Sequence, residues 1–166
     1  ISGGNGPDVF RFHAAWTPML LGELKPIPNT VMSAAEFKTT YYPVATKQLQ
    51  ANGQYVGVPV MYDGLALLYN EEMLSTAGLQ VPSTWAGVKE AAIKLAIKGS
   101  DGKLSRGGIA LGNSTNVDNF SDILALLMIQ NGATLTKSDS QEVADALSFY
   151  TSFQATDPVW NSELPD

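Results

Sequence analysis

The residues Tyr62-Asp63-Gly64 offer the clearest ligand chemistry in this sequence. A carboxylate such as that of Asp63 accepts hydrogen bonds from hydroxyl groups in a fixed geometry. The flat face of Tyr62 can cover an apolar patch of C–H groups, and Gly64 lets the backbone come close to a bound molecule. A carboxylate beside an aromatic face is a suitable pair of groups for holding a sugar ring. Asp-Gly is also ordinary turn chemistry, so a simple hinge turn stays open as the alternative.

A second aromatic candidate lies in the loop Phe12-His13-Ala14-Ala15-Trp16. This loop follows residues 7–12, which are predicted as a short strand, and ligands of open α/β sheets lie beyond the carboxyl ends of strands. We expect Trp16 to stack on a ligand, with Phe12 and His13 beside it. Packing of Trp16 over its own loop is the alternative. A single histidine does not make a typical zinc site, so His13 is also interpreted as a polar loop residue.

The third candidate is the dense polar loop at residues 113–120, which follows a short predicted strand at residues 108–112. Asn116, Asn119 and Phe120 are the side chains predicted to contact a ligand there. The alternative is structural, because Asn116 or Asp118 could cap the helix that follows.

Other kinds of site find little support in the sequence. It has no cysteine, one histidine, no G-x-S-x-G elbow and no G-x-G-x-x-G loop. A glycosidase needs two facing carboxylates, and the sequence offers only scattered acids. Residues 99–103 resemble the start of a calcium loop but lack the later bidentate acid. We therefore predict a binding protein that is not an enzyme and needs no metal or cofactor.

Charge argues against two classes of partner. The 166 residues carry 16 acidic and 10 basic side chains, a formal net charge of -6, without a lysine or arginine cluster. Nucleic acids and anionic membrane surfaces are both bound through basic patches, so neither is expected as a partner. Because 45% of the residues are hydrophobic, the chain can bury a core of ordinary size.

The residue patterns predict helices that alternate with extended segments. Helices are expected at residues 34–51 with an interruption at Pro43, at 71–77, from 85 onward, from 120 to about 131, and at 143–153. Extended segments are expected at residues 7–12, 54–62, 65–69 and 108–112. The remaining large aromatic residues are assigned mainly to packing: Trp85, Trp160, Tyr41, Tyr42, Tyr69 and Tyr150. The alternation predicts an α/β chain.

Several short motifs occur together in a familiar order. They are Gly6-Pro7-Asp8-Val9, Gly57-Val58-Pro59-Val60, Leu67-Leu68-Tyr69-Asn70, Glu71-Glu72-Met73-Leu74, Ala77-Gly78-Leu79, Pro82-Ser83-Thr84-Trp85 and Asn131-Gly132-Ala133. Their order and spacing resemble the family-1 extracellular solute-binding proteins of ABC importers, a group that includes the maltose-binding protein. No single motif is specific, and the resemblance depends on the order in which the motifs occur along most of the chain.

The resemblance implies a fragment of a two-lobed, periplasmic-binding-protein-like (type II) fold. Residues 1–62 would form the later part of lobe one, and residues 63–166 the first part of lobe two. Asp63 then lies where the chain first crosses between lobes, a place where the family has an acidic ligand contact.

The same resemblance implies a function outside the cytoplasm, in the periplasm or at the cell surface. The expected role is the substrate-binding component of an ABC importer, which binds a small solute in the cleft between lobes and docks on a membrane permease. A sugar or oligosaccharide is the expected solute. An extracytoplasmic enzyme or sensor domain on the same architecture is the alternative, and a purely structural interaction module is a third hypothesis.

Overall fold

The computed structural model describes residues 3–164, and the chain divides between Asp63 and Gly64 into two compact units. The first unit contains a 3-10 turn (Ala14–Trp16), α1 (Thr17–Leu20), α2 (Ala34–Thr40), α3 (Pro43–Gln48), β1 (Gln50–Ala51) and β2 (Gln54–Tyr55). The second unit contains α4 (Glu71–Thr76), α5 (Trp85–Leu95), β3 (Ile97–Lys98), β4 (Leu104–Arg106), α6 (Phe120–Gln130) and α7 (Gln141–Ala155). The two-lobed arrangement that the resemblance implies stays a prediction.

The helices of the first unit begin where local chemistry predicts. The Ser33 hydroxyl accepts a hydrogen bond from the Glu36 amide and caps α2. Pro43 starts α3, which confirms the predicted interruption, although this helix ends at Gln48 rather than near residue 51. Asn52 and Gly53, with φ of 50° and 77°, form the turn that joins β1 to β2. This Asn-Gly pair is therefore a hairpin turn and not a helix end.

The first unit has a small aromatic core. Phe37 of α2 is only 1% exposed, and its ring stacks on that of Tyr55 with centroids 3.8 Å apart. The Tyr41 ring packs on the Phe37 ring, with centroids 4.7 Å apart, and Leu49 is buried beside these aromatic residues. The assignment of Tyr41 to packing is confirmed.

The first two helices of the second unit, α4 and α5, each begin directly after a residue whose side chain caps the helix. Asn70 accepts a hydrogen bond from the Met73 amide at the start of α4, and Thr84 does the same for Gly87 at the start of α5. Gly78 adopts the left-handed conformation with φ of 66°, and the Leu79 amide donates to the Leu74 carbonyl. These contacts form a Schellman motif at the end of α4.

The larger core lies in the second unit, where α6 and α7 pack together. Its buried residues are Ala92, Leu111, Leu127, Ala146, Tyr150, Phe153, Val159 and Trp160. Trp85 packs at the margin of this cluster. The packing roles predicted for Tyr150, Trp160 and Trp85 are confirmed.

The strand predictions were largely wrong. Residues 7–12, 65–69 and 108–112 form no strand, and only Gln54–Tyr55 of the expected 54–62 segment pairs with another chain segment. A second hairpin, which pairs β3 with β4, lies on either side of residues 99–103. A strand needs a hydrogen-bonded neighbour along its length, and within residues 3–164 these extended segments have no ladder partner.

Two buried tyrosines allow a matched test of polar burial. The Tyr150 hydroxyl donates to the Leu111 and Gly112 carbonyl oxygens at 2.8 and 2.6 Å, whereas the buried Tyr55 hydroxyl has no partner among the described residues. Tyr150→Phe is expected to lower the free energy of unfolding by about 1–2 kcal/mol, because two buried acceptors lose their donor. Tyr55→Phe is expected to be neutral or slightly stabilising. Urea unfolding of both variants measures the difference, and equal losses would contradict this account.

Tyr150 also makes stability depend on alkaline pH. Burial raises the pKa of Tyr150 above the ordinary tyrosine value of 10.0. The unfolded chain therefore ionises first, so the stabilisation is complete below pH 10.0 and is lost as the pH rises above it. Removing the Tyr150 hydroxyl should flatten this alkaline loss of stability.

Candidate functional site

The Tyr62-Asp63-Gly64 segment lies at the boundary of the two units and is exposed. The backbone from residue 56 to residue 70 forms neither helix nor strand. The Tyr62 side chain is 72% exposed, and its ring contacts that of Tyr42 with centroids 5.4 Å apart. A carboxylate and two aromatic rings are therefore accessible on the first unit, as the sugar-binding hypothesis requires.

The loop at residues 12–16 places its aromatic side chains in different surroundings. The Phe12 ring is half-buried and packs against the core of the first unit, which favours a structural role. His13 caps the 3-10 turn, because its Nδ1 accepts a hydrogen bond from the Ala15 amide at 3.2 Å. Trp16 is 51% exposed, with its ring centroid 6.2 Å from that of His13. Trp16 is thus the member of this loop that offers an open stacking face.

In the polar loop of the second unit, both ends of the Asn116 side-chain amide form hydrogen bonds within the protein. Its oxygen accepts a hydrogen bond from the Asn113 backbone amide, and its nitrogen donates to the backbone carbonyl oxygens of Asn161 and Leu164. Asn116 thereby ties the loop to the chain after α7. This arrangement favours a structural role, although it differs from the helix cap considered as the alternative.

The other two residues of this loop stand at the start of α6. Asn119 is the N-cap residue, but its side chain accepts no capping hydrogen bond, and it is exposed. Phe120 is half-buried in the first turn of the helix. Asn119 is therefore the amide in this loop that remains available for contact with a ligand.

The second unit contains a groove of about 1000 Å³ and a cavity of about 360 Å³. Apolar side chains such as Leu65, Leu67 and Ile109 line much of the groove, and Asn119 lies on its wall. The Trp85 Nε1 group donates to the Gln130 Oε1 atom at 2.7 Å, so two polar groups of the groove satisfy each other. A sugar needs several polar partners, whereas the side chains that line this groove are mostly apolar.

The smaller cavity is lined by Asn116, Arg106 and Trp160, among others. The Arg106 guanidinium already donates to the Leu95 carbonyl oxygen, and the Trp160 indole nitrogen is buried from solvent. The accessible polar and aromatic groups of the candidate site thus lie on the first unit, apart from Asn119.

Within residues 3–164, no group of three or more histidine or acidic side chains is arranged to hold a metal ion. None of the helices in that range is both long and apolar enough to cross a bilayer.

Tyr42 was assigned mainly to packing, but the structure places it at the surface. Its side chain is 70% exposed and contacts Tyr62. The signal was present in the doublet Tyr41-Tyr42 before Pro43. Both tyrosines adopt extended backbone conformations, so their side chains point to opposite sides and only one can enter the core. Tyr69, also assigned to packing, is 51% exposed.

The chain matches the family described as bacterial extracellular solute-binding protein over residues 1–165. It is also 29% identical, over 109 residues, to the probable amino-acid ABC transporter periplasmic-binding protein y4oP of Sinorhizobium fredii (strain NBRC 101917 / NGR234). That alignment covers 61% of this chain and 25% of the relative, so the chain spans only a minor part of the relative's length. No solved structure matches the chain significantly.

These matches confirm the resemblance drawn from the motifs and the extracytoplasmic location that it implied. The family model extends over nearly the whole chain and therefore includes both units. The chain belongs to the bacterial extracellular solute-binding protein family.

Proposed function

We propose that this chain is part of the substrate-binding component of an ABC importer, and that it binds a small solute and presents it to a membrane permease. The observation that carries the proposal is the family match over residues 1–165. The protein would bind its solute without converting it, which distinguishes it from the alternative of an enzyme on the same architecture.

The solute we propose is a sugar or oligosaccharide. Exposed tyrosine rings beside a carboxylate suit the apolar face and the hydroxyl groups of a pyranose. An amino acid is the second candidate, because the relative y4oP is a probable amino-acid ABC transporter periplasmic-binding protein. A zwitterionic ligand would need a cationic partner for its carboxylate as well as an acidic group for its ammonium.

Calorimetric titration of the whole protein separates these candidates. One panel contains D-glucose, maltose and maltotriose, and the other contains the L-amino acids. Heat of binding with the first panel supports the sugar hypothesis, and heat with the second alone supports the amino-acid hypothesis. Chromatography of the sugars after long incubation tests turnover, and the appearance of products would favour the enzyme alternative.

Asp63→Ala is expected to weaken sugar binding by at least about 1 kcal/mol, roughly fivefold in Kd, because a charged hydrogen bond to a sugar hydroxyl is lost. Asp8→Ala serves as the matched control, since Asp8 is an exposed acid of the same unit. The measurement is calorimetry at constant temperature and salt. Unchanged affinity in a folded Asp63→Ala variant would remove Asp63 from the site.

A further inference from the structure

We propose that Tyr42 is a ligand-contact residue, which together with Tyr62 forms a two-ring platform for one pyranose ring; this inference rests on the proposed sugar-binding function. The tyrosine pair is defined by two neighbouring rings, 5.4 Å apart between centroids and inclined at 39°. Both side chains are strongly exposed, at 70% and 72%.

The exposure of this pair needs a physical reason. Single exposed apolar groups are common, but two adjacent exposed aromatic rings are a recognised feature of binding surfaces. Core packing does not explain why a tyrosine occurs at position 42, because the neighbouring Tyr41 is the residue that packs against Phe37. The ring of Tyr42 is therefore not needed for the core of the first unit.

Tyr42 is also held by a well-anchored backbone. It is the N-cap residue of α3, and its carbonyl oxygen accepts hydrogen bonds from the Ala45 and Thr46 amides. Further along, Leu49 is buried in the core of the first unit. Tyr62, by contrast, lies in a segment without helix or strand. The anchored backbone of Tyr42 thus gives its side chain a defined origin beside the ring of Tyr62.

The chemistry of the pair fits a sugar. Two inclined aromatic faces can cover the C–H groups on one side of a pyranose, as aromatic faces do with other apolar groups. Each phenol hydroxyl both donates and accepts hydrogen bonds, so each can use hydrogen-bonding partners on a ligand, and both side chains are exposed. The hydroxyl groups at the edge of a pyranose supply such partners.

The test is calorimetric titration of the whole protein and its variants with D-glucose, maltose and maltotriose. Tyr42→Ala is expected to weaken binding about three- to tenfold, the range typical of one aromatic contact, while the melting temperature stays within about 2 °C. Tyr42→Phe keeps the ring and should retain affinity to within about twofold. Val44→Ala, an exposed apolar position on the same helix, is the control that should leave affinity unchanged.

Two results would overturn the proposal, and they are distinguishable. If the unaltered protein binds a sugar and Tyr42→Ala binds it equally well, the platform is wrong and the proposed function stands. If the unaltered protein binds none of the three sugars, the sugar-binding function fails and the platform fails with it. A large fall in melting temperature with unchanged affinity would instead assign Tyr42 to packing.

Discussion

Gly108→Ala is expected to destabilise the second unit by about 3 kcal/mol or more, because no space exists there for a methyl group. A Cβ atom at this position would overlap the Ala92 carbonyl oxygen and lie 2.6 Å from the Ala92 carbonyl carbon. That oxygen also accepts the Ala96 amide at the end of α5. Backbone atoms cannot swing aside as a flexible side chain would, so the segment must move or α5 must lose this hydrogen bond.

Thermal and urea unfolding of the variant provide the measurement. Gly22→Ala is the matched control, since no atom lies within 4 Å of a Cβ there and the backbone φ is ordinary. Reduced entropy of the unfolded chain should make that variant neutral or slightly more stable. If both variants unfolded alike, the close approach of Gly108 to α5 would be wrong.

The contrast between helices and strands shows what can be predicted from this sequence. Helix starts depend on neighbours within four residues, so Thr84, Asn70 and Pro43 could be identified as local signals. Whether residues 65–69 form a strand could not be predicted from such local signals. These residues have the right composition, but a ladder depends on a distant partner that composition does not reveal.

The apolar segment at residues 65–69 shows the consequence of a missing ladder. Leu67 and Leu68 are 49% and 91% exposed, and the segment borders the apolar groove of the second unit. These exposed apolar side chains lie on a segment that belongs to neither a helix nor a strand. Residues 65–69 are therefore not a strand covered on both faces.

The candidate site was predictable in residue type more than in arrangement. Tyr62, Asp63 and Trp16 are exposed, as a ligand contact requires. Phe12 packs against the core of the first unit, and Asn116 forms hydrogen bonds within the second unit, so both residues have structural contacts. Such long-range contacts cannot be derived from spacing along the chain.

Phe153→Ala is expected to cost about 3–5 kcal/mol, the range for truncating a fully buried aromatic side chain. Phe153 is 0% exposed, and its ring meets Phe149 edge-on at 5.2 Å. The Lys89 ammonium lies 5.5 Å from the ring centroid and also pairs with Asp157. Truncation therefore removes packing from α7 and weakens a contact with α5.

Phe153→Leu is the control, because it retains most of the buried volume and should cost roughly 1–2 kcal/mol. Equilibrium unfolding in urea measures both variants. Equal and small losses in the two would show that the core relaxes around a cavity, which would contradict the tight packing of α7.

The effects of Phe153→Ala and Gly108→Ala should not add. The Val159 amide donates to the Phe153 carbonyl oxygen at 2.9 Å, and the Val159 carbonyl oxygen accepts from the Gly108 amide at 2.7 Å. A displacement of either segment therefore disturbs the same central residue, which is 2% exposed. Residues that share such a network show interaction energies of about 0.5–3 kcal/mol. The double variant should consequently lose less stability than the sum of the single losses, and strict additivity would mean that Val159 does not connect the two segments.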